Sequence, residues 1–309
     1  MWKYVFRRFL QAIPVILGVA LISFALSELS GSPIRALLGQ STSPEIIRRV
    51  TEFYGFDKPR PERFMIYLIN LCHGNLGASI SNHGEPVTNM ILDGMRVTVK
   101  LAMGAMLFAT FFGILAGVLS AWKPDSFVDY TASVFSAAGV SFPAFFLAML
   151  LMLVFAVNLK LFPIGGYQEG QIRYMILPCL SLGLISMASI ARLSRNCVLE
   201  AMSQDYIRSG RAKGLNRWTV LLSHALPNAL VPVVTIIGGD FASLLVGAVL
   251  TETVFGLPGL GLVLNNAIFN RDLPVVMGCC IFSALLFVVM NLLVDISYAF
   301  LDPRIRHAD

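Results

Sequence analysis

Six stretches of this 309-residue chain are each long and apolar enough to cross a bilayer, which limits its folds more than any other feature. They run from Phe9 to about Leu29, Leu101 to Trp122, Tyr130 to Leu159, Tyr174 to Ala191, about Asn228 to Thr251, and Leu273 to Val294. A helix needs about 20 apolar residues to cross a hydrocarbon core of about 30 Å. Only helices and closed barrels satisfy their backbone in lipid, and these lengths suit helices. The expected fold class is therefore all-α, a polytopic membrane protein with six transmembrane helices. Composition agrees: 56% of residues are apolar and 13% charged, against roughly a quarter charged in soluble domains.

The basic residues set an orientation. Six crossings put both termini on one side, and that side holds Lys3, Arg7, Arg8, Lys123, Arg192, Arg195, Arg208, Arg211, Lys213, Arg217, Arg304 and Arg306. The short loops opposite hold only Lys160, Arg173 and Arg271. The positive-inside rule makes both termini cytoplasmic, so the net charge of +5 records topology rather than nucleic-acid binding. The first apolar run follows Lys3, Arg7 and Arg8 as in a signal peptide. It is about twice a typical signal core in length and lacks a convincing cleavage site, so it reads as an anchor.

Three regions follow: residues 1–29, a tail and first helix; 30–96, an external cap; and 97–309, a five-helix core with a cytoplasmic loop at 192–227. In the cap, Ser41-Thr42-Ser43-Pro44-Glu45 reads as a helix start with Ser43 as N-cap, and Gly74-Asn75-Leu76-Gly77 as a turn.

Catalytic signatures are lacking. There is no GxxxxGK[ST] phosphate loop, no HExxH and no GxSxG. Gly256-Leu257-Pro258-Gly259-Leu260-Gly261 lacks dinucleotide spacing and reads as a turn or re-entrant bend. Ile237-Gly238-Gly239-Asp240 is one residue from the GxGD of intramembrane proteases, yet no second carboxylate lies at matching depth; Asp295 sits near the cytoplasmic end of the last span. His73, His83, His224 and His307 read as exposed, without metal-ligand spacing, and the five cysteines as small packing residues. No cofactor or metal is expected on this chain.

The most informative stretch is Asp205-Tyr206-Ile207-Arg208-Ser209-Gly210-Arg211-Ala212-Lys213-Gly214-Leu215, continuing through Asn216-Arg217-Trp218 to Leu226-Pro227-Asn228. It reads as two short helices, with Gly214 capping the first and Asn216 starting the second. Ile207 and Ala212 stand among Arg208, Arg211 and Lys213 as a basic and apolar knob. On composition alone an interfacial helix bound to anionic headgroups is the preferred reading.

This stretch resembles the EAA loop of ABC importer permeases, with Gly214, Leu226 and Pro227 at the pattern's glycine and Leu-Pro positions. Arg208-Ser209-Gly210 replaces Glu-Ala-Ala, as in the peptide and nickel permease group. Tyr4 to Phe9, Tyr54 to Pro59, Gly74 to Ser79, Glu252 to Gly261 and Asp302 to Arg306 are similar to that group as well, while Gly31-Ser32-Pro33 departs from its usual Gly-Asp-Pro.

The resemblance implies a type I ABC importer permease (MetI-like) fold in a bacterial inner membrane. It implies a binding-protein-dependent importer for di- or oligopeptides, nickel or metal chelates. The implied partners are a second homologous permease, two ATPase subunits carrying ATP and Mg, and an external solute-binding protein docking on the cap. Asp205, Tyr206, Arg208, Arg211, Ala212 and Gly214 would then couple the chain to its ATPase. Asp240, a carboxylate inside a span, either lines the translocation pathway or pairs with a basic residue of another subunit. A self-contained secondary transporter or channel is the alternative, though no internal repeat supports it.

Overall fold

A computed structural model describes residues 2–29, 58–82 and 84–301, together with Pro44, Glu45, Arg48, Thr51 and Glu52. Ser43, Gly31 to Pro33, Tyr54 to Asp57, His83 and Asp302 to Asp309 lie outside the described residues. Within them all regular structure is helical, save one isolated bridge between Ala78 and Pro86.

The helices are α1 (Trp2–Leu29), α2 (Arg60–Cys72), α3 (Val87–Trp122), α4 (Phe127–Ser141), α5 (Ala144–Leu151), α6 (Arg173–Met202), α7 (Asp205–Ala212), α8 (Arg217–Val220), α9 (Leu226–Gly247), α10 (Val249–Phe255), α11 (Leu260–Phe269) and α12 (Leu273–Leu301). Val87–Trp122, Arg173–Met202, Arg217–Val246 and Leu273–Ser297 are each long and apolar enough to cross a membrane. The first expected span lies in α1, whose shorter apolar stretch is Ile13–Leu29.

The third expected span is not one rod. Phe127–Gly139 and Ala144–Asn158 meet at 108° and make a fifth crossing only as a bent pair. The cause is Pro143, which lacks an N–H and pushes Phe142 out of the helical region, to φ −87° and ψ 133°. After α5 the chain continues as π-helical turns, Met152–Asn158. The fifth span also stops early, since α9 ends at Gly247 and α10 runs on to a left-handed cap at Gly256, φ +61°. Conversely, α6 extends eleven residues past the expected end at Ala191, to Met202.

The chain forms two compact units. One comprises Trp2–Thr98 and Leu257–Val289. In it α2 lies on α1, with the Phe24 ring 5.2 Å from Phe64 and 6.1 Å from Tyr67, and Glu28 paired to Arg63 at 2.5 Å. The buried Asp272 carboxylate accepts from Ser79 Oγ at 2.5 Å, Ile80 N at 3.1 Å, Ser81 N at 3.0 Å and Ser81 Oγ at 2.6 Å. It thereby fixes the segment after α2 to the start of α12.

The other unit comprises Val99–Gly256 and the last part of α12. Within it α3 meets α6 through glycines that let the backbones approach, as is common where helices associate in lipid. A Cβ on Gly117 would stand 2.6 Å from the Ala191 carbonyl oxygen, and one on Gly183 2.9 Å from that of Ala105. A backbone carbonyl cannot swing aside, so Gly117→Ala should cost about 1–3 kcal/mol. Gly239→Ala meets nothing within 4 Å and, by helix propensity, should be neutral or stabilising. Thermal midpoints of the two variants in detergent check the contrast; equal midpoints would count against the close approach.

Of the cysteines, Cys279 is buried, but Cys72 is exposed rather than packed. His224 is likewise not exposed as expected; it is half-buried, and its Nδ1 has no hydrogen-bond partner among the described residues.

Candidate functional site

The end of α6 turns through Ser203 and Gln204 into α7, with Ser203 Oγ donating to the Glu200 carbonyl at 2.7 Å. An eight-residue helix is marginal alone, so α7 depends on its packing. Ile207 is fully buried in one apolar cluster with Val198, Val220, Leu221 and Ala225, and Gly210 is buried beside it. Ile207 is therefore the anchor of α7 and not part of an exposed knob. Asp205 in the first turn and Arg211 in the last both suit the helix dipole.

The end of α7 is a Schellman motif. Leu215 N donates to the Gly210 carbonyl at 3.3 Å and Gly214 N to that of Arg211 at 2.9 Å, with Gly214 at φ +80°. Two residues later Asn216 caps α8, its Oδ1 accepting from Trp218 N at 3.4 Å. The break between the helices is thus a fixed corner.

A second anchor was not legible in the sequence. The Trp218 ring stacks on Trp122, at the end of α3, with centroids 3.9 Å apart and planes at 17°. The Arg217 guanidinium lies 4.5 Å over the same Trp122 ring and donates to the Trp122 carbonyl at 2.7 Å. Trp122 is legible only as the end of the second apolar run; nothing in the sequence names its partner 96 residues on. Leu221–Ala225 then follows as π-helical turns into α9, where Asn228 Nδ2 donates to the His224 carbonyl at 2.9 Å and to Tyr206 Oη at 3.4 Å.

These contacts redistribute the six basic residues between Arg192 and Arg217. Arg192 donates to the Ser136 carbonyl at 3.1 Å, Arg195 is paired with Asp129, and Arg217 holds Trp122. Arg208 and Arg211 on α7 and Lys213 at its C-cap are left exposed. Among the described residues only Asp205 offsets them, 3.5 Å from Arg208 in an exposed pair of little strength. Asp205, Tyr206, Arg208, Arg211, Ala212 and Gly214 share this one exposed element. Asp240 lies apart from it, partly buried within α9 and with no ion-pair partner among the described residues. Glu252 is fully buried in α10. Asp295 lies in α12.

The chain as a whole has clear relatives. Residues 113–307 match the family model "Binding-protein-dependent transport system inner membrane component", and residues 1–102 match the N-terminal model of such membrane components. A putative peptide transport system permease protein of Brucella abortus is 41% identical, over 99% of this chain and 100% of its own length. The oligopeptide transport system permease protein OppB of Haemophilus influenzae is 37% identical over the same shares, and the dipeptide permease DppB of Alkalihalophilus pseudofirmus 36%. In fold, a chain of the inward-facing MetNI methionine ABC transporter superposes with a TM-score of 0.55 at 18% identity, covering 70% of this chain and 97% of that one. An exposed, doubly capped two-helix corner on a helical membrane core, with relatives along its full length, has one reading: the chain belongs to the family of binding-protein-dependent transport system inner membrane components, as a permease subunit of an ABC importer with the type I fold.

Proposed function

We propose that this chain is one of two homologous permease subunits that together form a peptide translocation pathway, driven by two ATPase subunits. The observation that carries the reading is α7: a short helix capped at its end, anchored by Ile207, and exposing Arg208, Arg211 and Lys213. A helix so fixed passes on a rigid-body movement instead of absorbing it. The ATPase groove that receives it is complementary in charge, carrying carboxylates opposite the three cations. ATP and Mg reside in that partner. Both termini face the cytoplasm, and the segment between α1 and α3 faces outward, where a solute-binding protein delivers cargo. Peptide is the proposed cargo because the relatives similar over their whole length are named for peptide, dipeptide or oligopeptide transport. Asp240 faces the pathway, since an unpaired carboxylate in a span is costly unless it borders water or a cation.

The test is ATP-dependent uptake by the reconstituted complex with its binding protein. Uptake of labelled dipeptide, competed by other peptides and not by nickel, is expected. Uptake of nickel alone would overturn the cargo. Wild-type peptide affinity and rate in Asp240→Asn would remove Asp240 from the pathway.

A further inference from the structure

A cavity of about 550 Å³ lies beneath the connection between α5 and α6, far from α7 along the chain and used by nothing described above. Its floor is where α3 meets α6: a Cβ on Gly104 would stand 2.6 Å from Cys179 Sγ, so the two helices close there. Phe108, Met175, Ile176 and Leu180 give it apolar walls. The roof is Tyr167 to Ile172, a connection held at both ends. Gly166, at φ +91°, donates its N–H to the Phe255 carbonyl at 2.8 Å, and Arg173 donates to the Leu161 carbonyl at 2.9 Å. The volume falls within the ~300–1,000 Å³ of small-molecule sites.

One cation stands at the mouth. Lys100 Nζ donates to Tyr167 Oη at 3.2 Å and lies 3.7 Å from Glu169. Both charged side chains are largely open to water, so the pair is weak and exchangeable. Lys100 lies 22 residues before Trp122 on α3, about 33 Å along the axis, which puts it at the opposite membrane boundary from the coupling corner.

We propose that this cavity is an entry site for a small peptide, with Lys100 receiving the α-carboxylate and Glu169 the α-ammonium. The site rests on the peptide reading and sharpens it: the ligand is a free zwitterion with an apolar side chain. Lys100, which lines the cavity, and Glu169, 3.7 Å from it on the roof segment, supply opposite charges, matching a molecule that carries both. The Gln168 and Gln171 amides line the same roof and can pair with a peptide unit. The apolar walls take the side chain. An anionic phospholipid would satisfy Lys100 and the walls, but its phosphate would meet the like charge of Glu169.

The experiment is photolabelling of the full permease and ATPase complex in nanodiscs, without binding protein. The probe is a radiolabelled dipeptide of alanine and benzoylphenylalanine, and the label is mapped by peptide sequencing. Label is expected on α6 between Met175 and Leu180, or on the 167–172 roof. Loss of a charge-assisted hydrogen bond should lower labelling about tenfold or more in Lys100→Gln, with Lys100→Arg largely retaining it. The C-terminally amidated probe should label wild type as poorly as the free acid labels Lys100→Gln. Equal labelling of wild type and Lys100→Gln overturns the proposal, as does label elsewhere in the chain or labelling abolished by added anionic phospholipid. Wild-type uptake of the dipeptide together with any of these results sinks the entry site alone and leaves the cargo standing. Absence of peptide uptake sinks both.

Discussion

Ala212→Pro is expected to yield a permease that inserts and assembles at near wild-type levels yet transports nothing. Ala212 is the last residue of α7, and proline there removes an N–H and clashes with the preceding turn, at about 3 kcal/mol. It also drives Arg211 out of the helical region, which displaces the carbonyl that Gly214 uses in the cap. The damage stays local, because Ile207, five residues earlier, holds the start of the helix in its cluster. A second arm separates rigidity from charge. Arg208→Glu with Arg211→Glu reverses two exposed cations that, among the described residues, make no side-chain hydrogen bond or ion pair beyond the weak Arg208 and Asp205 pair. Such surface changes usually alter stability by about 0.5 kcal/mol or less. Uptake should fall at least tenfold while peptide-independent ATP hydrolysis by the partner persists. Wild-type uptake in both variants would end the assignment of α7 as the coupling element.

The elements legible from sequence were those whose cause is local. Four of the six apolar runs, the Gly214 corner and the Asn216 cap each follow from a period or from one residue's backbone preference, and each falls on an element of the fold. The bend at Phe142 and Pro143 has a local cause, but Pro178 and Pro232 lie inside unbroken helices, so a proline within a span does not by itself place a break. The tertiary pairings could not be read. Trp122 with Trp218, and Asp129 with Arg195, join residues 66 or more positions apart, and no spacing rule connects them. Counting Arg192, Arg195 and Arg217 as cytoplasmic charge rests on the positive-inside rule, for which only position in the chain matters. It was unsound for partner binding, because these three spend their donors inside the fold. Three of the six cations remain for a partner, two on α7 and the third, Lys213, at its C-cap.

Arg195→Met should be the most destabilising single change among those considered. Asp129, in the first turn of α4, is buried and accepts from Arg195 Nε at 2.6 Å and from an Arg195 terminal nitrogen at 2.7 Å, a bidentate pair. Ser120 Oγ donates to the same carboxylate, as does Asp125 N at 2.9 Å. The carboxylate therefore ties α3, α4 and α6 together at one point. Replacing Arg195 by methionine keeps much of its stem packing but strands a charge that is almost wholly enclosed, at about 3–5 kcal/mol. Asp129→Asn should cost less. It keeps the shape and the Ser120 contact, and Arg195, with about a quarter of its side chain exposed, still reaches water. Removing both charges, as Asp129→Leu with Arg195→Met, should recover a large part of the loss, because no unpaired ion remains. Measured as the thermal midpoint of the purified complex, the Arg195→Met loss is on the order of 10 °C. A midpoint within about 2 °C of wild type, or a double variant no better than Arg195→Met, would show that this pair does not hold the three helices.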